Sequence, residues 1–143
     1  MAKSETVDAD VVVRITKGAG GYQFAYSGAA KSNGDMNFAA DPFNKKTVRV
    51  NFSIGSGSLP GIKFMSVGKD AMWIMQSSPG GKGSPKGPYS GAQFTGFAVA
   101  PDGGTLTVVD NNDDKGTYRY ALRFDLNGEI VQDDPEVNNG GGH

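Results

Sequence analysis

The side chains able to do chemistry are of few kinds, and the densest group of them is Asp110-Asn111-Asn112-Asp113-Asp114-Lys115-Gly116. Asp110, Asn112 and Asp114 supply oxygens at alternate positions, the spacing with which a helix–loop–helix calcium site begins. Such a loop also needs Gly at its sixth place and a bidentate Glu at its twelfth. Lys115 and Ala121 stand there instead. Two readings remain for Asp110, Asn112 and Asp114: a solvated turn between strands, or a calcium loop completed by distant carboxylates. Gly80-Gly81-Lys82-Gly83-Ser84 has the glycines and lysine of a phosphate loop, but Gly83 breaks the Gly-Lys-Ser/Thr order and no helix follows to supply its N-terminus. Asn51-Phe52-Ser53 is a formal glycosylation sequon placed mid-strand.

Absences narrow the chemistry further. The chain has no cysteine, and its single histidine is His143, the last residue. Thiolate nucleophiles, zinc ribbons, a cysteine-ligated copper site and any internal imidazole base are therefore excluded. No motif marks a pair of catalytic carboxylates, so the expectation is a non-enzymatic protein with no catalytic residue, cofactor or metal.

The elements that must position these residues are strands. Thr47–Ile54 alternates cleanly, with Val48, Val50, Phe52 and Ile54 on one face and Thr47, Arg49, Asn51 and Ser53 on the other. Asp10–Thr16 alternates likewise, with Val12 the exception. Further strands are expected at Tyr22–Tyr26, Met36–Ala39, Gly61–Ser66, Ala71–Met75, Ala92–Ala100, Thr105–Val109, Thr117–Leu126 and Glu129–Gln132. No window of 11 or more residues carries a helical stripe. Short strands divided by Gly, Asn, Asp and Pro turns are the pattern of an all-β sandwich or barrel. Asn127-Gly128 predicts a two-residue type I′ hairpin that sets Phe124 opposite Val131 and Leu122 opposite Asp133. Phe94 and Phe97 are three apart with Gly96 between them, which alternation forbids unless a bulge intervenes.

At 143 residues, with 22 glycines and 37% apolar residues, the chain is expected to form one domain over residues 8–137. Residues 1–7 and 138–143 are expected to be flexible tails. Residues 77–91, rich in Gly, Pro and Ser, read as a long loop, either a mobile connector or a partner-binding loop. Net charge is −1, but residues 1–71 carry nine Lys/Arg and six Asp/Glu (+3), and residues 72–143 carry five and nine (−4). That asymmetry suits head-to-tail association or ordinary solvation. The basic residues are dispersed, so no nucleic-acid partner is expected. No stretch approaches a membrane span and Met1–Asp10 has no apolar signal region, which suggests a soluble, cytoplasmic protein.

Ala71-Met72-Trp73-Ile74-Met75 is apolar on both faces, as a central core strand or a Met/Trp-rich contact surface would be. Gln93–Val99 is also long and free of charge. Met72, Trp73, Met75, Phe94 and Phe97 are therefore the candidate interface residues.

The last third runs Thr105-Leu-Thr-Val-Val-Asp110-Asn-Asn, then Tyr118-Arg-Tyr120-Ala-Leu122-Arg-Phe124, then Asn127-Gly128, then Asp133-Asp134-Pro135-Glu136-Val137-Asn138. This order resembles small bacterial proteins of the DP-EP type over about 35 residues, with Val137 where that pattern has its second proline. A similar ending occurs in bacterial inclusion-body-type β-sandwich proteins. The resemblance implies an immunoglobulin-like or cupredoxin-like sandwich and transfers no catalytic residue. The copper site of cupredoxins does not carry over, since its cysteine and histidines are missing.

Together these readings predict a two-sheet, mostly antiparallel sandwich of about seven to nine strands. It would act as a binding or assembly module for a second copy of itself, forming an oligomer, or for another β-rich protein. The alternative is a carbohydrate- or calcium-dependent binding module that uses the acidic loops.

Overall fold

The computed structural model describes residues 6–77, 85–113, 115–133 and 135–140. Among them are eleven strands and one four-residue helix. The strands are β1 (Thr6–Gly18), β2 (Gly21–Gly28), β3 (Met36–Phe38), β4 (Thr47–Ile54), β5 (Ile62–Phe64), β6 (Met72–Ser77), β7 (Phe94–Val99), β8 (Thr105–Asp110), β9 (Lys115–Leu126), β10 (Glu129–Asp133) and β11 (Glu136–Gly140). The helix, α1, spans Gly68–Ala71. The count exceeds the expected seven to nine partly because β3 and β5, three residues each, are separate strands. No helix among the described residues is long and apolar enough to cross a membrane.

The first sheet has the order β2-β1-β4-β8-β7. In the second, β9 is the spine: β10 and β11 pair with it, as do β5 and β6, and β3 joins through β11. All pairs are antiparallel except β1–β4 and β3–β11. The sheets stack through aromatic side chains, with ring centroids 6.2 Å apart for Phe24 and Phe124, 5.9 Å for Phe52 and Tyr120, and 5.0 Å for Phe94 and Tyr118. The alternation of β4 is realised: Val48, Val50 and Phe52 are buried, Ile54 is half-buried, and Arg49 is exposed.

Local chemistry explains the details. Asn127 (φ 52°) and Gly128 (φ 92°) both take the positive φ that a type I′ turn requires, and the register pairs Phe124 with Val131 and Leu122 with Asp133. The expected bulge is present, since Gly96 has φ 66° and the β7–β8 register shifts between Thr95 and Ala98.

The ends differ from expectation. Thr6 and Val7 lie in β1, in parallel register with Thr47 and Val48, so the strand begins before Asp10. Asn138, Asn139 and Gly140 lie in β11 rather than in a tail, in register with Thr117, Gly116 and Lys115 of β9. Ala71, expected in a strand, closes α1. In the 77–91 loop, Ser77 is the last residue of β6 and residues 78–84 lie outside the described residues. Its second half is anchored: Tyr89 packs edge-on against Phe94, its hydroxyl accepts from Gln93 N at 2.9 Å, and Pro88 bridges to Trp73.

Two stability measurements check this fold. Phe52→Ala should cost about 3–5 kcal/mol in denaturant unfolding because it opens a cavity between the sheets. Asn51→Ala, which removes only solvent-side hydrogen bonds, should cost less than about 1 kcal/mol. In the hairpin, Gly128→Val should lower the melting temperature, because a β-branched residue is strained at positive φ. An unchanged melting temperature would contradict the turn.

Candidate interaction surface

Side chains alternate across β9. Tyr118, Tyr120, Leu122 and Phe124 point into the core and are at most 3% exposed. Arg119, Ala121, Arg123 and Asp125 therefore point to the outer face of the second sheet. On β6 the same alternation buries Met72 and Ile74 and turns Trp73 and Met75 outward, where both are half-buried. Trp73 pairs with Ala121 and Met75 with Arg119. Ala121 is small, which leaves room for the indole to lie diagonally across the sheet toward Arg123.

The Arg123 guanidinium carbon lies 3.7 Å from the centroid of the Trp73 ring. Two hydrogen bonds hold it there, from Nε to Gln132 Oε1 at 3.1 Å and from Nη1 to the Asp70 carbonyl at 3.2 Å. Burial pushes the Arg123 guanidinium below its ordinary value. A desolvated stack of this kind contributes about 0.5–2 kcal/mol. The Trp73 Nε1–H is buried and has no acceptor among the described residues.

The face continues beyond the stack. Met65 N donates to the Arg123 carbonyl at 3.1 Å, and Lys63 is in register with Asp125. Lys63, Met65 and Asp125, with Val99 at the end of β7 and Ser66 and Pro101 of the adjoining turns, line a cavity of about 260 Å³. Ile130 lies opposite Asp125 on β10 and is 51% exposed. One face thus carries Trp73, two thioethers, an exposed isoleucine, a small cavity and the cations Lys63 and Arg119, while Arg123 (8% exposed) and Ala121 lie buried beneath it.

Of the five interface candidates, only Trp73 and Met75 are on this face. Met72 (1% exposed) and Phe94 (3%) belong to the core and cannot contact a partner. Phe97 is half-buried between Tyr89 and α1, where a Cβ on Gly68 would stand 2.5 Å from the Phe97 carbonyl oxygen. Arg119, Arg123, Lys63 and Met65 were missed. The basic residues alternating with aromatics in Tyr118–Phe124 were the signal for the first two.

The acidic loop turns inward. Asp110 and Asn112 are fully buried. Asp110 Oδ1 accepts from Asn112 N at 2.9 Å, and Asn112 Nδ2 lies 3.0–3.1 Å from the carbonyl oxygens of Phe38, Phe43 and Lys46. That amide donates to the backbone of a distant loop. Asn112 also has φ 53°, a conformation asparagine tolerates better than most residues. Asp113 exchanges two bonds with Gln93, from Gln93 Nε2 to its carboxylate at 2.6 Å and from its own N to Gln93 Oε1 at 2.8 Å. Asp114 lies outside the described residues. Among the described residues no three His, Cys, Asp or Glu side chains gather as metal ligands. The Asn51 amide donates to Asp8 and Asp10 at 3.1 and 2.9 Å, beside the Arg49–Asp8 ion pair.

No family model matches the chain, and no curated protein is significantly similar to it.

Asn112→Ala should cost about 2–4 kcal/mol in chemical denaturation, because it removes the donor shared by three carbonyls at a strained φ. A loss below about 0.5 kcal/mol would show that the amide is not what orders this loop.

Proposed function

We propose that this protein is a non-enzymatic binding module that works through protein–protein contact, and that the outer face of the second sheet is its contact surface. The observation that carries the reading is the half-buried Trp73, clamped by Arg123 and bordered by Met65, Met75 and the Lys63–Asp125 cavity. Trp and Arg in desolvated surroundings are the side chains that most often dominate binding energy, and methionine adapts its shape to a partner. The cations along the face suit a partner surface that offers carboxylates among apolar side chains. A second copy or another β-rich protein is the class of partner in view. A cytoplasmic setting and the absence of a nucleic-acid partner go with this reading. The inward turn of Asp110 and Asn112 favours it over a calcium-dependent module.

The test replaces Met75 with the photo-crosslinking residue p-benzoylphenylalanine and irradiates the protein in cells. A discrete adduct is expected from Met75 and none from the same probe at exposed Thr95 on the other sheet. Trp73→Lys should abolish the Met75 adduct while leaving the protein folded. Equal adducts from both positions, or none from Met75, would remove this reading. A rise in melting temperature with calcium would turn attention to the alternative module.

A further inference from the structure

The edges of the two sheets are not protected alike. Exposed edges invite pairing unless they are short, charged, bulged or covered. β7 is bulged at Gly96 and closely approached by α1. β6 meets Pro88 at Trp73. The free side of β5 is taken by Gly103, whose carbonyl accepts from Phe64 N at 2.9 Å. β3 has three residues, and β10 carries Glu129 and Asp133 within five. β2 has none of these devices along most of its length. It is an eight-residue end strand, Gly-Tyr-Gln-Phe-Ala-Tyr-Ser-Gly, with no charge and no proline.

The hydrogen-bond phase of β2 shows which groups are open. On β1 the Val13 carbonyl accepts from Gly55 N, and Ile15 accepts from Leu59 N and donates to Ser58 Oγ, so both residues face away from β2. Their register partners, Tyr26 and Phe24, must then face outward, as must Tyr22. Tyr26 N is capped by the Ser32 carbonyl at 3.1 Å. Among the described residues, the N–H and C=O groups of Tyr22 and Phe24 remain as the open stretch.

We propose that this stretch pairs two copies of the chain, antiparallel across a two-fold axis at Gln23. Centring on Gln23 sets Tyr22 opposite Phe24 of the second copy and the reverse, so four backbone hydrogen bonds form from open groups alone. A centre at Phe24 would instead set Tyr22 against the capped Tyr26. The strand is neutral, so a copy of itself brings no like charges together. The nearest charges, Lys17 over the Tyr22 ring at 5.3 Å and Glu129 at its hydroxyl, are of opposite sign. The result is a continuous ten-stranded sheet, by an interface separate from the Trp73 face. Pairing of about five residues per copy falls below the roughly 1,000 Å² of a tight interface, so the dimer is a weak one.

Sedimentation velocity of the full chain between about 10 µM and 1 mM reads it, the span in which so small an interface associates. The mass is expected to rise from 14.9 kDa toward twice that value. At the two-fold axis the Gln23 side chains of the two copies lie directly opposite, in the close non-hydrogen-bonded position. Gln23→Lys and Gln23→Glu should each abolish the rise, and their equimolar mixture should restore it. Gln23 is exposed, and thermal melts confirm that each variant is folded. A wild type that stays monomeric at 1 mM overturns the proposal. So do single variants that dimerise like the wild type, or a folded mixture that does not recover. Loss of the dimer in Trp73→Lys but not in Gln23→Lys would assign association to the other face.

Discussion

The structure depends on β9, a twelve-residue strand that pairs with four others. A strand this long outreaches any one partner, so β10 and β11 share one side of it and β5 and β6 the other. Where β10 gives way to β11, Tyr120 N donates to the Pro135 carbonyl at 2.9 Å, which keeps the ladder satisfied across the gap. The Tyr120 side chain faces the core, and its hydroxyl donates to the Gly34 carbonyl at 2.6 Å. Complete burial pushes that phenol well above its ordinary value and keeps it a donor. The same strand presents aromatics to the core and arginines to the outside, so its alternation creates both the packing and the contact surface.

That division governs what the surface can do. Inner positions of the spine are closed to variation by close packing, whereas the outer ones answer only to their neighbours on the face. Arg123 is held by groups from two other elements, the Gln132 side chain on β10 and the Asp70 carbonyl in α1. Buried and held in this way, it fixes the Trp73 ring before any partner arrives, which lowers the entropy cost of binding through the indole. On the first sheet the outer face carries a polar network of Asp8, Arg49, Asn51 and Thr107. The hydrogen bond from the Arg49 guanidinium lowers the Asp8 carboxyl. The two outer faces differ in kind: that of the first sheet pairs its charges within a polar network beside an exposed Val12, whereas that of the second sets Trp73, Met75 and Ile130 beside Lys63 and Arg119.

Much of the local structure was legible in the sequence, because it follows from rules that act over a few residues. Asn127-Gly128 fixed a hairpin register to the residue, and the three-residue spacing of Phe94 and Phe97 disclosed the bulge at Gly96. What could not be read depends on distant residues. The run Met72–Met75 is apolar at every position, so alternation carries no phase there. Only pairing with β9 shows that Met72 faces in and Trp73 out. Asn112 has the oxygen of a metal ligand, yet the carbonyls that claim its amide nitrogen lie 66–74 residues away in sequence. The parallel partnership of β1 with β4 and the capture of Asn138–Gly140 by β9 are likewise long-range. The same holds for the open edge of β2, which depends on where Ser32 and Ser58 come to lie.

Native-state hydrogen exchange tests the central role of β9 most directly. The hydrogen-bonded amides of Tyr118–Phe124 are expected to exchange only through global unfolding, together with the β6 and β10 amides bonded to them. The outward amides of Tyr22 and Phe24 should exchange orders of magnitude faster in dilute protein. Early exchange along β9 while β4 stays protected would show that the second sheet opens separately, and would contradict a fold that depends on β9.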